Sequence, residues 1–400
     1  MGLTARLLIL SDGVAGHVNQ SRGIALWLGR ALADRDISLR VEEREVPRLG
    51  GVSLARARLS SLFLRSGGRR RSREWLGAFG GELYRAFGGN PVLGGRVVVL
   101  SAGSRCAPYN LALGVLLGAV SVTVMTPSLL GLDPFDYAIV PEHDHPPRRS
   151  NVFPTLGAPN SVDPGALEAE GRALGDLFPP RSVRRWGLLV GGDDRNYRVT
   201  PRWIRREVGV LLRRAEAFGA DLYVTTSRRT SREAEEELGR LLKGSGAVRM
   251  YLPAGRCSGN PVPGMLGLCT RIFCTEDSVS MVSEAATAGH RVVLMRVERP
   301  GGLRQGLSRL SRRAAAAGLA PGGAVFGSSR FDELFSALRR EGRIEEWGLW
   351  KREMPMVDGQ GRPVIPEDPG RVWGFNEARR SARSGWRESL SSGGVFDGLV

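Results

Sequence analysis

The chain has 400 residues, 42% of them apolar, enough for two α/β domains that each bury a core. Lys and Arg number 57 against 41 Asp and Glu, a formal charge of +16, and every basic residue except Lys243 and Lys351 is arginine. That excess points to polyanionic partners (phosphorylated ligands, an anionic membrane surface or nucleic acid), although GC-rich coding gives the same arginine bias. Four cysteines without a CxxC pair, and only four histidines, argue against a zinc cluster or disulfide framework.

No apolar run has the length of a membrane span, since the longest, around Leu111 to Val124, is broken by Gly114 and Gly118. The chain starts directly on a strand, Arg6 to Leu10, without a signal-peptide layout, so a reducing, cytoplasmic compartment is expected. A glycine loop, SDGVAGHVNQS, and a helix, Arg22 to Leu32, follow, and then a strand, Ser38 to Glu43. From Ser53 to Gly89 the texture changes to helical, basic and aromatic. This stretch reads either as a surface hairpin or as a face resting on an anionic membrane.

Strands resume at Val97 to Ser101, Ser121 to Met125 and Tyr137 to Val140, with a helix from about Cys106 to Gly118. The loop Pro141 to Asn151 gathers Glu142, His143, Asp144 and His145, a second acid/base cluster that reads first as a solvated loop. A short strand, Val152 to Leu156, leads into the turn-rich junction TLGAPNSVDP, where one domain ends. The second series is a helix Pro164–Leu177, a strand Trp186–Val190, the loop GGDDRNY, a helix Pro201–Phe218, a strand Asp221–Thr225, the loop TTSRRT and a helix Glu233–Leu242. A strand Arg271–Thr275, a helix Met281–Ala288 and a strand Arg291–Met295 complete it. Alternation at this spacing predicts parallel, doubly wound sheets in both halves. The expected division is 1–160, with a basic helical insertion at about 53–89, then 161–345, then a Trp- and Arg-rich tail, 346–400, either loose or returning as a helix to the first domain.

Ligands of open α/β sheets bind outside the carboxyl ends of the strands, and four loops there carry phosphate-type chemistry. Asp12, Gly13, Gly16 and His17 follow the first strand. In the second half Gly191, Gly192 and Asp193, then Ser227, Arg228 and Arg229, then Thr275 to Ser280 lie at three strand ends. Asp277, Ser278 and Ser280 are N-cap types, and Ser280 and Glu284 share a helix face. Free amides and the positive dipole end suit phosphate oxygens, and a carboxylate one turn deeper suits sugar hydroxyls. His17 or Asp12 is the candidate base for an acceptor hydroxyl, an unperturbed imidazole titrating near neutrality.

The segments SDGVAGHVNQS, MTPSLLGLDPFDYAIVPEHD, NVFPTLGAPNSV, LLVGGDDRNYRVTP, TTSRRT and TEDSVSMVSEAATAG occur in this order over roughly residues 5 to 300. Together they resemble the family of glycosyltransferase-like proteins named after a plant mitochondrial fission factor, the "elongated mitochondria" protein. The resemblance implies a GT-B-like layout, two Rossmann-like domains facing across a cleft, similar to that of the lipid-linked peptidoglycan N-acetylglucosaminyl transferases. It implies a nucleotide-diphosphate sugar as co-substrate in the C-terminal half, bound by Gly191, Gly192, Tyr197, Ser227, Arg228, Arg229, Glu276, Asp277, Ser278, Ser280 and Glu284, with Glu284 on the ribose. Gly13, Gly16, Asn19 and Gln20 form the acceptor-side loop, and no bound metal or cofactor is expected. The acceptor is membrane-linked or a surface polysaccharide. The alternative is a non-catalytic adaptor that recruits a protein partner at a membrane, as the plant relative does. This chain departs from the family in the two acids of GGDDRNY and in lacking an aromatic after Asn260-Pro261. Nucleic acid is not an expected partner, because no RRM, KH or helix-turn-helix pattern occurs and the arginines are spread along the chain.

Overall fold

A computed structural model describes residues 3–89, 97–194, 196–256, 259–300, 329–352, 356–357, 360 and 363–364. Two compact units divide the chain between Ser161 and Val162. Each contains one six-stranded sheet in which every pairing is parallel. The doubly wound α/β class expected from strand–helix alternation is therefore present twice.

In the first unit β1 (Thr4–Ser11), α1 (Ala15–Ala33) and β2 (Ser38–Glu45) are followed by three helices, α2 (Gly51–Ser61), α3 (Leu64–Phe79) and α4 (Glu82–Phe87). Then come β3 (Val97–Ala102), α5 (Ala107–Leu117), β4 (Val120–Val124), β5 (Tyr137–Pro141) and β6 (Val152–Thr155), giving the order β2-β1-β3-β4-β5-β6. Runs such as LLIL (7–10) and VVVL (97–100) are apolar throughout because helices cover both faces of a parallel sheet. The chain reverses its direction of strand addition between β1 and β3, where Leu10 pairs with Ser101. Such a reversal opens a crevice at the carboxyl edge.

The basic, aromatic insertion is three helices, and most of its large apolar residues face inward. Leu64, Trp75, Leu76, Leu83 and Phe87 share a core with α5, and Trp75 meets Tyr109 edge-on at 5.1 Å. Four of the exposed ones lie on and just after α2, Val52, Leu59, Leu62 and Phe63, and Tyr84 on α4 is exposed as well.

In the second unit α6 (Pro164–Leu177) begins where Asp163 accepts from the Gly165 amide, with Pro164 in the first turn. β7 (Arg185–Val190), α7 (Pro201–Trp203), α8 (Gly209–Ala217), β8 (Asp221–Thr226), α9 (Arg232–Leu242), β9 (Val248–Leu252), α10 (Val262–Leu268), β10 (Arg271–Thr275), α11 (Val279–Thr287), β11 (Val292–Met295) and β12 (Ile344–Glu346) follow. The order is β12-β11-β10-β7-β8-β9, with the reversal between β7 and β10. The expected helix Pro201–Phe218 runs from Pro201 to Ala217 but contains a π turn over Ile204–Val208. The strand β9, the helix α10 and the helix Ser329–Arg340 have no counterpart in the sequence reading. Of the tail 346–400, residues 365–400 lie outside the described residues.

Candidate functional site

Each unit places polar residues at its own reversal point. In the first, Asp12 follows β1 and turns back on the head of α1. Its Oδ1 accepts the Val14 amide at 3.1 Å, and its Oδ2 lies 3.0 Å from His17 Nδ1. The two candidate bases are thus one pair. A carboxylate on Nδ1 fixes a proton there and leaves Nε2 as the accepting nitrogen. Gly103, from the loop after β3, lies over the ring at φ +82°, where an added Cβ would fall 2.6 Å from His17 Cε1. Gly13 has φ +77°, so the turn at Asp12 takes a conformation that L side chains resist.

Gly16 and Asn19 are half-buried on the first turns of α1, whereas Gln20 is buried in the helix. Cys106 is buried near Asp12, and burial, reinforced by that carboxylate, pushes its thiol well up. In the Glu142 to His145 cluster, Glu142–Asp144 form a 3-10 turn capped by His145, with Glu142 exposed and His143 buried.

The second unit ties its loops together more tightly than the motifs imply. Gly191 N–H donates to Thr275 Oγ1 at 2.7 Å, and Gly192 N–H donates to Asp277 Oδ2 at 2.8 Å. An added Cβ would fall 2.1 Å from Asp277 Oδ2 at Gly191, and 2.1 Å from the Arg229 carbonyl carbon at Gly192. The glycine pair therefore admits protein: the Asp277 carboxylate and the Arg229–Thr230 backbone. Arg229 donates to Asp277 Oδ2 at 2.9 Å, and burial pushes the Asp277 carboxyl up despite those partners. The two acids of GGDDRNY bond to backbone amides and each faces a guanidinium. Asp193 accepts from Val199 and Asp194 from Asn196 and Tyr197, with Arg198 3.7 Å from Asp193 and Arg229 3.9 Å from Asp194.

Arg228 and Arg229, alternatives in the sequence, have different roles. Arg229 is drawn across the Gly192–Asp193 carbonyls to Asp277. Arg228 is exposed and forms no ion pair with a described residue. Ser227 closes the turn between them by accepting the Arg229 amide at 3.1 Å. Tyr197 is fully buried, stacked on Phe331, with the Arg299 guanidinium 5.5 Å from its ring centroid. It belongs to the core.

Glu276 is a buried hub. One oxygen meets Arg296 and Arg299 at 2.8 Å each, and the other accepts the Val297 amide. Sequence reasoning missed both arginines, whose carboxylate partners come from as far away as Asp332 and Glu346. Ser278 stands at the N-cap of α11 without a side-chain cap bond, and Ser280 follows in the first turn, both half-buried. The helical ladder starts with Val282 N–H to Ser278 O, so the amides of Val279, Ser280 and Met281 head the helix. Glu284 lies one turn deeper, 8% exposed. Among the described residues no three His, Cys, Asp or Glu side chains gather as a metal site.

Two Rossmann-like units, each with polar groups at its reversal point, define a two-domain α/β protein. Residues 15–361 match the family described as mitochondrial fission ELM1, and the chain belongs to that family. No curated protein matches it. Solved structures similar to it include UDP-GlcNAc 2-epimerase from Methanocaldococcus jannaschii, 11% identical, covering 95% of this chain and 99% of that one at a TM-score of 0.47. The Neisseria meningitidis UDP-GlcNAc 2-epimerase bound to UDP-GlcNAc is 14% identical, covering 97% and 100%, at 0.45. Medicago truncatula UGT71G1 complexed with UDP-glucose is 11% identical, covering 99% and 96%, at 0.40.

Proposed function

We propose that the chain is a glycosyltransferase whose second unit binds a nucleotide-diphosphate sugar and whose first unit activates the acceptor. The observation that carries this reading is the Asp12–His17 pair at 3.0 Å, a base already oriented at a reversal point. His17 Nε2 takes the acceptor hydroxyl proton as the acceptor oxygen bonds to the sugar's anomeric carbon. The bond from that carbon to the diphosphate breaks, and the nucleoside diphosphate leaves with the electron pair. The α11 amides, Ser278, Ser280 and Arg228 meet its charge, where fixed donors contribute most. Glu284 accepts from the ribose hydroxyls. Arg229 and Asp277 hold the loops in place.

Isothermal titration of the intact protein with UDP, GDP, CDP and ADP tests the donor assignment. Arg228→Ala is expected to weaken the preferred nucleotide by about tenfold, the size of a lost charge-assisted bond, without lowering the melting temperature. Arg229→Ala is expected to lower the melting temperature first. Equal binding by Arg228→Ala and the wild type removes Arg228 from the site. One observation favours the adaptor alternative: the Gly191 and Gly192 amides already have protein partners. A wild type that binds no nucleotide at millimolar concentration decides for it.

We further propose that this activity works on the cytoplasmic side at an anionic membrane surface, reached through α2. No helix among the described residues is long and apolar enough to cross a membrane. The exposed Val52, Leu59, Leu62 and Phe63 stand among seven arginines between residues 51 and 73, a stretch with no acidic residue. An apolar stripe flanked by cations suits a headgroup layer, each arginine near the surface adding about 1 kcal/mol. Leu59→Asp with Phe63→Asp is expected to abolish co-sedimentation with phosphatidylglycerol vesicles. Undiminished co-sedimentation would dismiss α2 as the contact.

A further inference from the structure

The second unit contains a cavity of about 450 Å³ that no residue of the glycine loop lines, in the size range of small-molecule sites. It lies beyond the carboxyl ends of β11 and β12, against the π turn, and its wall includes Arg206, Arg296, Lys351 and Arg352 together with Glu207 and Glu346. Both carboxylates are already saturated. Glu207 Oε2 accepts from Trp347 Nε1 at 2.6 Å and Lys351 Nζ at 2.8 Å, while Oε1 accepts from Arg206 Nε at 2.7 Å. Glu346 takes Arg296 in a two-point pairing and is also met by Arg339. A π turn widens a helix at one point and such turns recur at functional sites; here it carries Glu207 to those partners.

Arg296 spends its guanidinium on Glu276, Asp332 and Glu346, and Lys351 is paired with Glu207, so Arg352 and the outer nitrogens of Arg206 are the cationic groups that face the space, with no acid oxygen left to receive a metal ion. Arg206 keeps about half of its side chain exposed, and Arg352 is exposed without an ion pair to a described residue. We infer that this cavity is a binding site for a phosphate-class anion, a phosphomonoester or inorganic phosphate, lined by none of the residues proposed for the nucleotide. Guanidinium groups pair with phosphate oxygens in two-point geometry. The inference does not depend on the transferase reading.

Calorimetric titration of the intact protein with inorganic phosphate, in chloride buffer, tests it alongside Arg206→Gln/Arg352→Gln and Arg228→Ala. The expected result is saturable phosphate binding that weakens at least about tenfold in the double variant and is unchanged in Arg228→Ala. Arg352→Gln alone, at an exposed position, repeats the test if the double variant melts early. A wild type that takes up no phosphate at millimolar concentration overturns the inference. So does binding that survives both cavity variants, or binding abolished by Arg228→Ala, which would locate the anion on the glycine loop.

Discussion

Replacing His17 with alanine is expected to lower sugar transfer by roughly a hundred- to ten-thousand-fold, the usual contribution of a positioned general base. The ring is only partly exposed, held at Nδ1 by Asp12 and lying against Gly103, so its accepting nitrogen has little freedom. Asp12→Asn keeps a hydrogen-bonding partner but removes the charge that stabilises the imidazolium formed on proton uptake. It is expected to lower the turnover number while leaving the Michaelis constant for the nucleotide sugar almost unmoved. The readout is release of nucleoside diphosphate from nucleotide sugars in the presence of membranes, with nucleotide affinity measured in parallel. Nucleotide binding is expected to stay intact in both variants, because the groups proposed to hold it belong to the other unit. Full turnover by His17→Ala would strip the pair of a role in proton transfer and leave Asp12 and His17 as the closure of the β1–α1 turn.

The sequence makes this pair visible only as two alternatives. Asp12 and His17 are five positions apart, and nothing local says that the turn between them closes. The class of fold is more legible, because unbroken apolar strands and glycine-ended helices are local signals that packing then reinforces. The helix Pro164–Leu177 matches residue for residue, since Asp163 and Pro164 mark its start chemically. The edge strand Val248–Leu252 escapes notice because Arg249 interrupts its apolar run and only Met250 is buried. The largest departures involve partners distant in sequence. Gly191 and Gly192 look like room for a diphosphate, but that room is taken by Asp277 and by the Arg229–Thr230 backbone. Adjacent arginines, chemically identical on paper, separate into a latch and an exposed cation because only one of them is next to Asp277. Tyr197, a nucleotide-sugar contact in the resemblance, has its ring enclosed between Phe331 and Arg299.

Glu276→Ala is expected to destabilise the second unit by about 3–5 kcal/mol, the range for removing one partner of a buried ion pair. The side chain is 1% exposed, and it meets two arginines and one backbone amide. Arg296, Arg299 and Arg339 face Glu276, Asp332 and Glu346, three cations against three anions. Taking away the innermost carboxylate leaves Arg296 and Arg299 sharing two outer ones, and the Val297 amide loses its acceptor. For a unit of this size that loss lowers the melting temperature by about 6–20 °C. Glu276→Gln keeps the shape and the amide bond while losing the charge, so its loss is expected to be smaller. The same measurement separates two roles that the sequence presents as one. If Glu276 contacted the nucleotide sugar, alanine there would weaken ligand binding and leave the melting temperature nearly unchanged. A carboxylate enclosed by Arg296 and Arg299 predicts the reverse order: stability falls first. Nucleotide affinity then follows only as far as Asp277 and the head of α11, next along the chain, lose their footing.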